Sequence, residues 1–230
     1  MGAKAIVASN SREPSVRAGD GTLFAIAVGL LVFSILAFSL KATFNPERLV
    51  RYTPIVIVHG IVMLAWLVLF ASQTRLAMTG KLQRHRTFGM ASLLLVLVMV
   101  PLGIHLSWQL GQETGRMIVF VGNAINFLQF VPLYATAIIA AKRHRFEDHK
   151  RLMLVASIAL TGPAVGRVIE VADLPLPVTM LAFLLAIIVL PLAYDIRVRR
   201  KPHRASVIAI GYVILTVGIF GAYAASLPSS

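Results

Sequence analysis

The sequence predicts an all-α, polytopic membrane bundle of seven transmembrane helices. Three observations carry that reading. The chain has 230 residues, of which 58% are hydrophobic and only 13% charged, with a mean hydropathy of +0.82; a soluble domain of this length does not need so much apolar side chain. The apolar residues gather into uncharged runs long enough to cross about 30 Å of hydrocarbon. The runs are continuous rather than alternating, which selects helices over a closed barrel, the other structure that satisfies its backbone in lipid.

Taken in order, residues 1–21 are polar and mixed in charge and predict a flexible tail. Thr22 to Leu40 is the first span; it exceeds a signal-peptide core and follows a long leader, so it reads as a retained anchor. The second span covers about Tyr52–Ser72, the third Phe88–Trp108 and the fourth Met117–Ala141. The fifth is Leu152–Val171, the sixth Pro177–Tyr194 and the seventh Ala205–Tyr223, giving a transmembrane domain over 22–226 and a short tail at 227–230. Pro175 and Pro177 break the chain before the sixth span, and Pro228 follows the seventh. Gly162-Pro163-Ala164-Val165-Gly166 predicts a kink and a close helix approach within the fifth. No convincing internal repeat is visible. The short, mostly basic connections predict one compact bundle.

Charge orients the bundle. Lys4, Arg12 and Arg17 in the tail share a side with Arg75, Lys81, Arg84 and Arg86 of loop two. The same side takes the basic residues of loop four (Lys142 to Arg151) and of loop six (Arg197 to Arg204), so most of the 22 basic residues lie there. The positive-inside rule then places the N-terminus in the cytoplasm and the C-terminus in the periplasm. The net charge of +13 is explained by this asymmetry, and nucleic acid is not implied. The basic loops predict contact with anionic lipid headgroups.

Absences narrow the chemistry. Without cysteine there is no thiolate metal site, iron–sulfur cluster or disulfide. No acidic residue or lysine falls in the middle of an expected span, which argues against ion-coupled transport and proton pumping. The seventh span has no lysine for a retinal Schiff base, and Thr79-Gly80-Lys81 lacks the rest of a phosphate-binding loop. No nucleophile elbow or HExxH zinc motif occurs.

The histidines are the candidates. His59 near the start of the second span and His105 near the end of the third are expected at similar depth, close to the outer face. Met63 and Trp66 share the His59 face, Gln73 lies within about 40° of it, and Pro101 precedes His105 by one turn. The pair could ligate a b-type haem, copper or another metal that prefers nitrogen, with Met63 as a soft ligand. Alternatively the two rings hydrogen-bond between helices, partnered by Asn123, Asn126 or Gln129. His85 and His149, just before the third and fifth spans, are candidates for a second site at the cytoplasmic face, or ordinary residues of the basic loops. His85 and His105 lie about 200° apart around one helix, so they do not share a groove unless it bends. Arg167 either pairs with Glu170 at the outer boundary or joins the outer site as partner to a haem propionate or anionic substrate.

The order His59-Gly60, Gln73, Gly80, His85-Arg86, Gly89 and His149-Lys150-Arg151-Leu152-Met153 resembles that of a group of bacterial multi-pass membrane proteins. The resemblance spans roughly the second to fifth spans, and its HR…G and HKRLM segments are the most specific parts. More distantly, paired histidines on neighbouring helices look like those of transmembrane b-type cytochromes and small membrane factors of oxidase assembly. The four histidines depart from the same-face ligand pair on each of two helices seen in di-haem cytochromes. The resemblance implies a bacterial inner-membrane protein and carries no substrate. The leading expectation is a haem or metal site in the outer leaflet serving electron transfer or metal handling. The alternatives are a path for a small neutral or lipophilic solute lined by Asn123, Asn126 and Gln129, or an assembly protein that docks a membrane partner or a second copy.

Overall fold

The computed structural model describes residues 14–46 and 53–227. Among them are eight helices and no strand: α1 (Pro14–Phe44), α2 (Pro54–Met78), α3 (Leu82–Thr114), α4 (Met117–Lys142), α5 (Phe146–Ala159), α6 (Gly162–Val171), α7 (Leu176–Arg199) and α8 (Arg204–Ser226). α5 and α6 are two halves of one span, so seven helices are long and apolar enough to cross a membrane. The protein is an all-α, multi-pass membrane bundle.

Local chemistry sets the breaks. α2 opens on Pro54 and α7 carries a proline in its first turn, where a missing N–H leaves no bond unmade. Gly115 closes α3 in the left-handed region, at φ 65°. Between α5 and α6, Pro163 lacks the N–H that a continuous helix would need. At the break Thr161 donates both its N–H (2.8 Å) and its hydroxyl (2.7 Å) to Ile158 O. The expected kink and close approach are both present, with Gly162 against Asn126 of α4 and Gly166 against Thr179 of α7.

Several helices overrun the apolar runs. α1 starts at Pro14, so the last eight residues of the expected tail (1–21) are helical; residues 1–13, 47–52 and 228–230 lie outside the described residues. α3 starts at Leu82, α5 at Phe146, and α7 continues to Arg199. Hydropathy marks where hydrocarbon ends, whereas helical hydrogen bonding continues past it until a turn residue intervenes. As a result His85, His149, Arg151 and Asp195 are helical residues, not loop residues.

Helices α1 to α5 pack in chain order, and α1 also meets α6 and α7. α5 touches α4, α7 and α8, and its span is the most deeply buried. At the centre Trp66 stands edge-on to Phe130 (4.8 Å) and Tyr134 (5.6 Å), which stack on each other (5.5 Å). Leucines such as Leu94 and Leu97 are about 70% exposed on the outside; lipid is the solvent that makes such a surface stable. Arg197 Nε donates to Thr22 Oγ1 (3.1 Å), bringing the start of the first span to the same end as the α2–α3, α4–α5 and α7–α8 turns. Lys41, Arg167 and Glu170 lie at the opposite end.

Candidate functional site

At the basic end the chain repeats itself. Thr79 (φ −90°, ψ 7°) and Arg143 (φ −90°, ψ 13°) cap α2 and α4 with the same backbone angles. Gly80 and His144 follow in the left-handed region, at 71° and 58°. Lys81 and Arg145 then open α3 and α5 in matching conformations. The turn bonds also match: Lys81 N donates to Leu76 O (2.9 Å) and Arg145 N to Ala140 O (2.8 Å). The α2–α3 and α4–α5 turns therefore share one geometry, 64 residues apart. Hydropathy hides the relation because most of the equivalent side chains differ. Its legible trace is a basic residue, three others, histidine and a second basic residue: Lys81 to Arg86, and Arg145 to Lys150.

His85 and His149 occupy the same place after these turns, the fourth residue of α3 and of α5. Each Nδ1 bonds a main-chain oxygen twelve residues back on the preceding helix: His149 to Ala137 O (2.9 Å) and His85 to Gln73 O (3.2 Å). A carbonyl can only accept, so the neutral His149 ring donates from Nδ1 and leaves the lone pair on Nε2. The Gln73 side chain braces the α2–α3 turn: turned to satisfy both neighbours, its nitrogen faces His85 O (2.9 Å) and its oxygen faces Gly89 N (3.3 Å). That nitrogen also donates to His85 Nδ1, so the carbonyl fixes the tautomer at His149 and not at His85. The two rings, both half-buried, meet with centroids 6.3 Å apart and planes at 86°. Equivalent residues also touch deeper in the bundle, where Trp66 meets Phe130.

No family model, curated protein or solved structure matches the chain.

Donor count limits what the pair can hold. Among the described residues no group of three or more His, Cys, Asp or Glu side chains could surround a metal ion. Two imidazoles do not complete a tetrahedral zinc site. The bond from each Nδ1 to a main-chain carbonyl holds the two rings in place, as such bonds do for metal-binding histidines.

The expected outer pair is not assembled. His59 is half-buried beside Gly103 of α3, and its Nδ1 is buried without a partner. His105 is exposed. The reason is helical geometry: Gly103 faces His59, and two residues later the helix has turned about 200°. Matched depth did not mean matched direction. Met63 packs against the core from α2. Arg167 does not join His59; it pairs with Glu170 (3.0 Å) and lies over the Phe38 ring (5.8 Å), with Lys41 also on Glu170 (3.4 Å). The interfacial salt bridge is the arrangement found.

The amides of α4 act as ties between and along helices. Gln129 is fully buried and donates to Thr216 Oγ1 of α8 (2.9 Å). Asn126 donates back to Gly122 O (3.1 Å) and Asn123 O (3.4 Å). Within α4 and across to α8 these bonds tie the helices together.

A buried ion pair escaped the sequence reading. Arg151 and Asp195 are both fully buried, with Nε to Oδ1 at 2.6 Å. Glu147 takes Arg151 Nη1 (2.6 Å), and the second Asp195 oxygen accepts from His203 N (2.8 Å). The Tyr194 ring lies 5.3 Å from the guanidinium. Arg151 read as one more loop cation, and Asp195 fell one residue past the expected end of the sixth span. Their signal was the scarcity of acids: the chain has only 9 Asp and Glu, so one at a helix end calls for a partner. The network pins α5 to α7 and to the turn before α8, holding the helix that carries His149. Beside it, His203 accepts from Ala205 N (3.2 Å) as the cap of α8. Burial, then the Arg151 and Arg199 charges, hold its pKa below the usual 6.5.

Proposed function

We propose that this chain is a membrane electron-transfer protein that holds a b-type haem between His85 and His149. The observation that carries the reading is the repeated anchoring: two imidazoles in equivalent turns, 6.3 Å apart, each tied through Nδ1 to a main-chain carbonyl. Haem would supply one-electron chemistry. The chain's own contribution is to hold both rings against main-chain carbonyls, leave the Nε2 lone pair of His149 for a ligand and brace α5 through Arg151 and Asp195. The positive-inside rule makes the site's end cytoplasmic, in a bacterial inner membrane, with the C-terminus periplasmic. Exposed basic side chains there, Arg84 and Arg86 among them, meet anionic headgroups.

The test is an absorbance spectrum with iron and copper analysis on the full chain, gently solubilised from a haem-replete host. A Soret band with stoichiometric iron is expected. It is lost in His85→Ala and in His149→Ala, and kept in His105→Ala, whose ring is exposed. Colourless protein, or a band indifferent to both inner histidines, overturns the proposal. Copper without a Soret band would assign the pair to metal handling instead. A band lost only in His59→Ala would move the site to the other end of the bundle.

A further inference from the structure

We infer that the groove between α4, the start of α5 and α8 binds one anionic phospholipid. The groove encloses about 180 Å³ on the lipid-facing side of the basic end. Ile139, Ala140, Leu152 and Ile208 supply apolar walls, and Arg143, Arg145 and Asp148 form its mouth. From Arg143 back to Thr136 the groove follows α4 for about 10 Å, a depth that takes the upper part of an acyl chain. Head and tail therefore find matching chemistry in the right order along the membrane normal.

Charge decides the kind of headgroup. Arg145 is paired with Asp148, which neutralises one cation of the mouth. Arg143 is exposed and has no ion pair among the described residues, so the mouth keeps a net positive charge facing the headgroup layer. A zwitterionic headgroup offers that charge no net attraction, whereas phosphatidylglycerol does. A second groove, beside α1, is larger at about 450 Å³ but is lined by Phe33, Leu36, Leu40, Phe44 and similar residues without a charged side chain. It has no means of selecting one lipid over another. The inference stands independently of the histidine pair.

The experiment is native mass spectrometry of the full chain released from neutral detergent. Phosphatidylglycerol or phosphatidylcholine is added in equal amounts, and sn-glycerol 1-phosphate serves as a soluble headgroup. Phosphatidylglycerol should be retained about fivefold better, the effect of one basic side chain at a membrane surface. Arg143→Gln should abolish the preference while leaving the melting temperature unchanged, because the side chain is exposed. Arg84→Gln, at the same end but outside the groove, should keep the preference. Equal retention of the two lipids, or equal loss in both variants, would overturn the inference in favour of diffuse surface charge. Displacement by millimolar glycerol phosphate would overturn it in favour of a free phosphate site.

Discussion

Replacing Asp195 with alanine strips the buried Arg151 guanidinium of a carboxylate 2.6 Å away and removes the acceptor for His203 N. Both partners are fully buried, so the remaining charge cannot turn to solvent. Breaking such a pair from one side is worth about 3–5 kcal/mol. Glu147 stays on Nη1, but its side chain is 49% exposed and offsets only part of the loss. The companion variant Glu147→Ala should therefore cost about 1 kcal/mol or less. Reversible unfolding of the full chain in mixed micelles, titrated with a denaturing detergent, measures both. The double variant Arg151→Met, Asp195→Leu removes the charges together and should fall within about 1 kcal/mol of the parent. The reasoning fails if Asp195→Ala is no worse than Glu147→Ala. It fails also if the double variant loses as much as Asp195→Ala, since lost packing rather than an orphaned charge would then be responsible.

Three further outcomes are expected. In Gly103→Ala the new methyl would overlap the buried Phe127 ring and approach His59 Cε1 to 3.2 Å, lowering stability by about 1–3 kcal/mol; adding Phe127→Leu should restore most of it in the same assay. The repeated turns predict opposite signs for reciprocal changes, because both positions are left-handed. Gly80→Ala should destabilise and His144→Gly stabilise, each by about 0.5–1 kcal/mol in thermal melts. His203 caps α8 through an unprotonated Nδ1, and its folded pKa lies below 6.5. The unfolded chain therefore takes up the proton first, and stability present above pH 6.5 should fall on acidification through the lower folded value. His203→Asn, which keeps a capping oxygen, should flatten that dependence in melts between pH 7.5 and 5.

The sequence by itself determined the membrane bundle, because spanning lipid is a local demand: each run must be apolar and long enough, and each can be read without knowing its neighbours. For the same reason the proline breaks and the kink at Gly162-Pro163 were legible. Direction was not. His59 and His105 share a depth that residue counting gives, but only the packed helices decide that Gly103 faces His59 while His105 faces out. His85 and His149 read as loop residues because hydropathy reports lipid rather than hydrogen bonding, and α3 and α5 begin before their apolar runs. Arg151 and Asp195 lie 44 residues apart. Neither had a visible reason to be buried, since the cost of burying each is met by the other. Pairings across the bundle belong to the tertiary structure because their energies depend on distances that no local window contains.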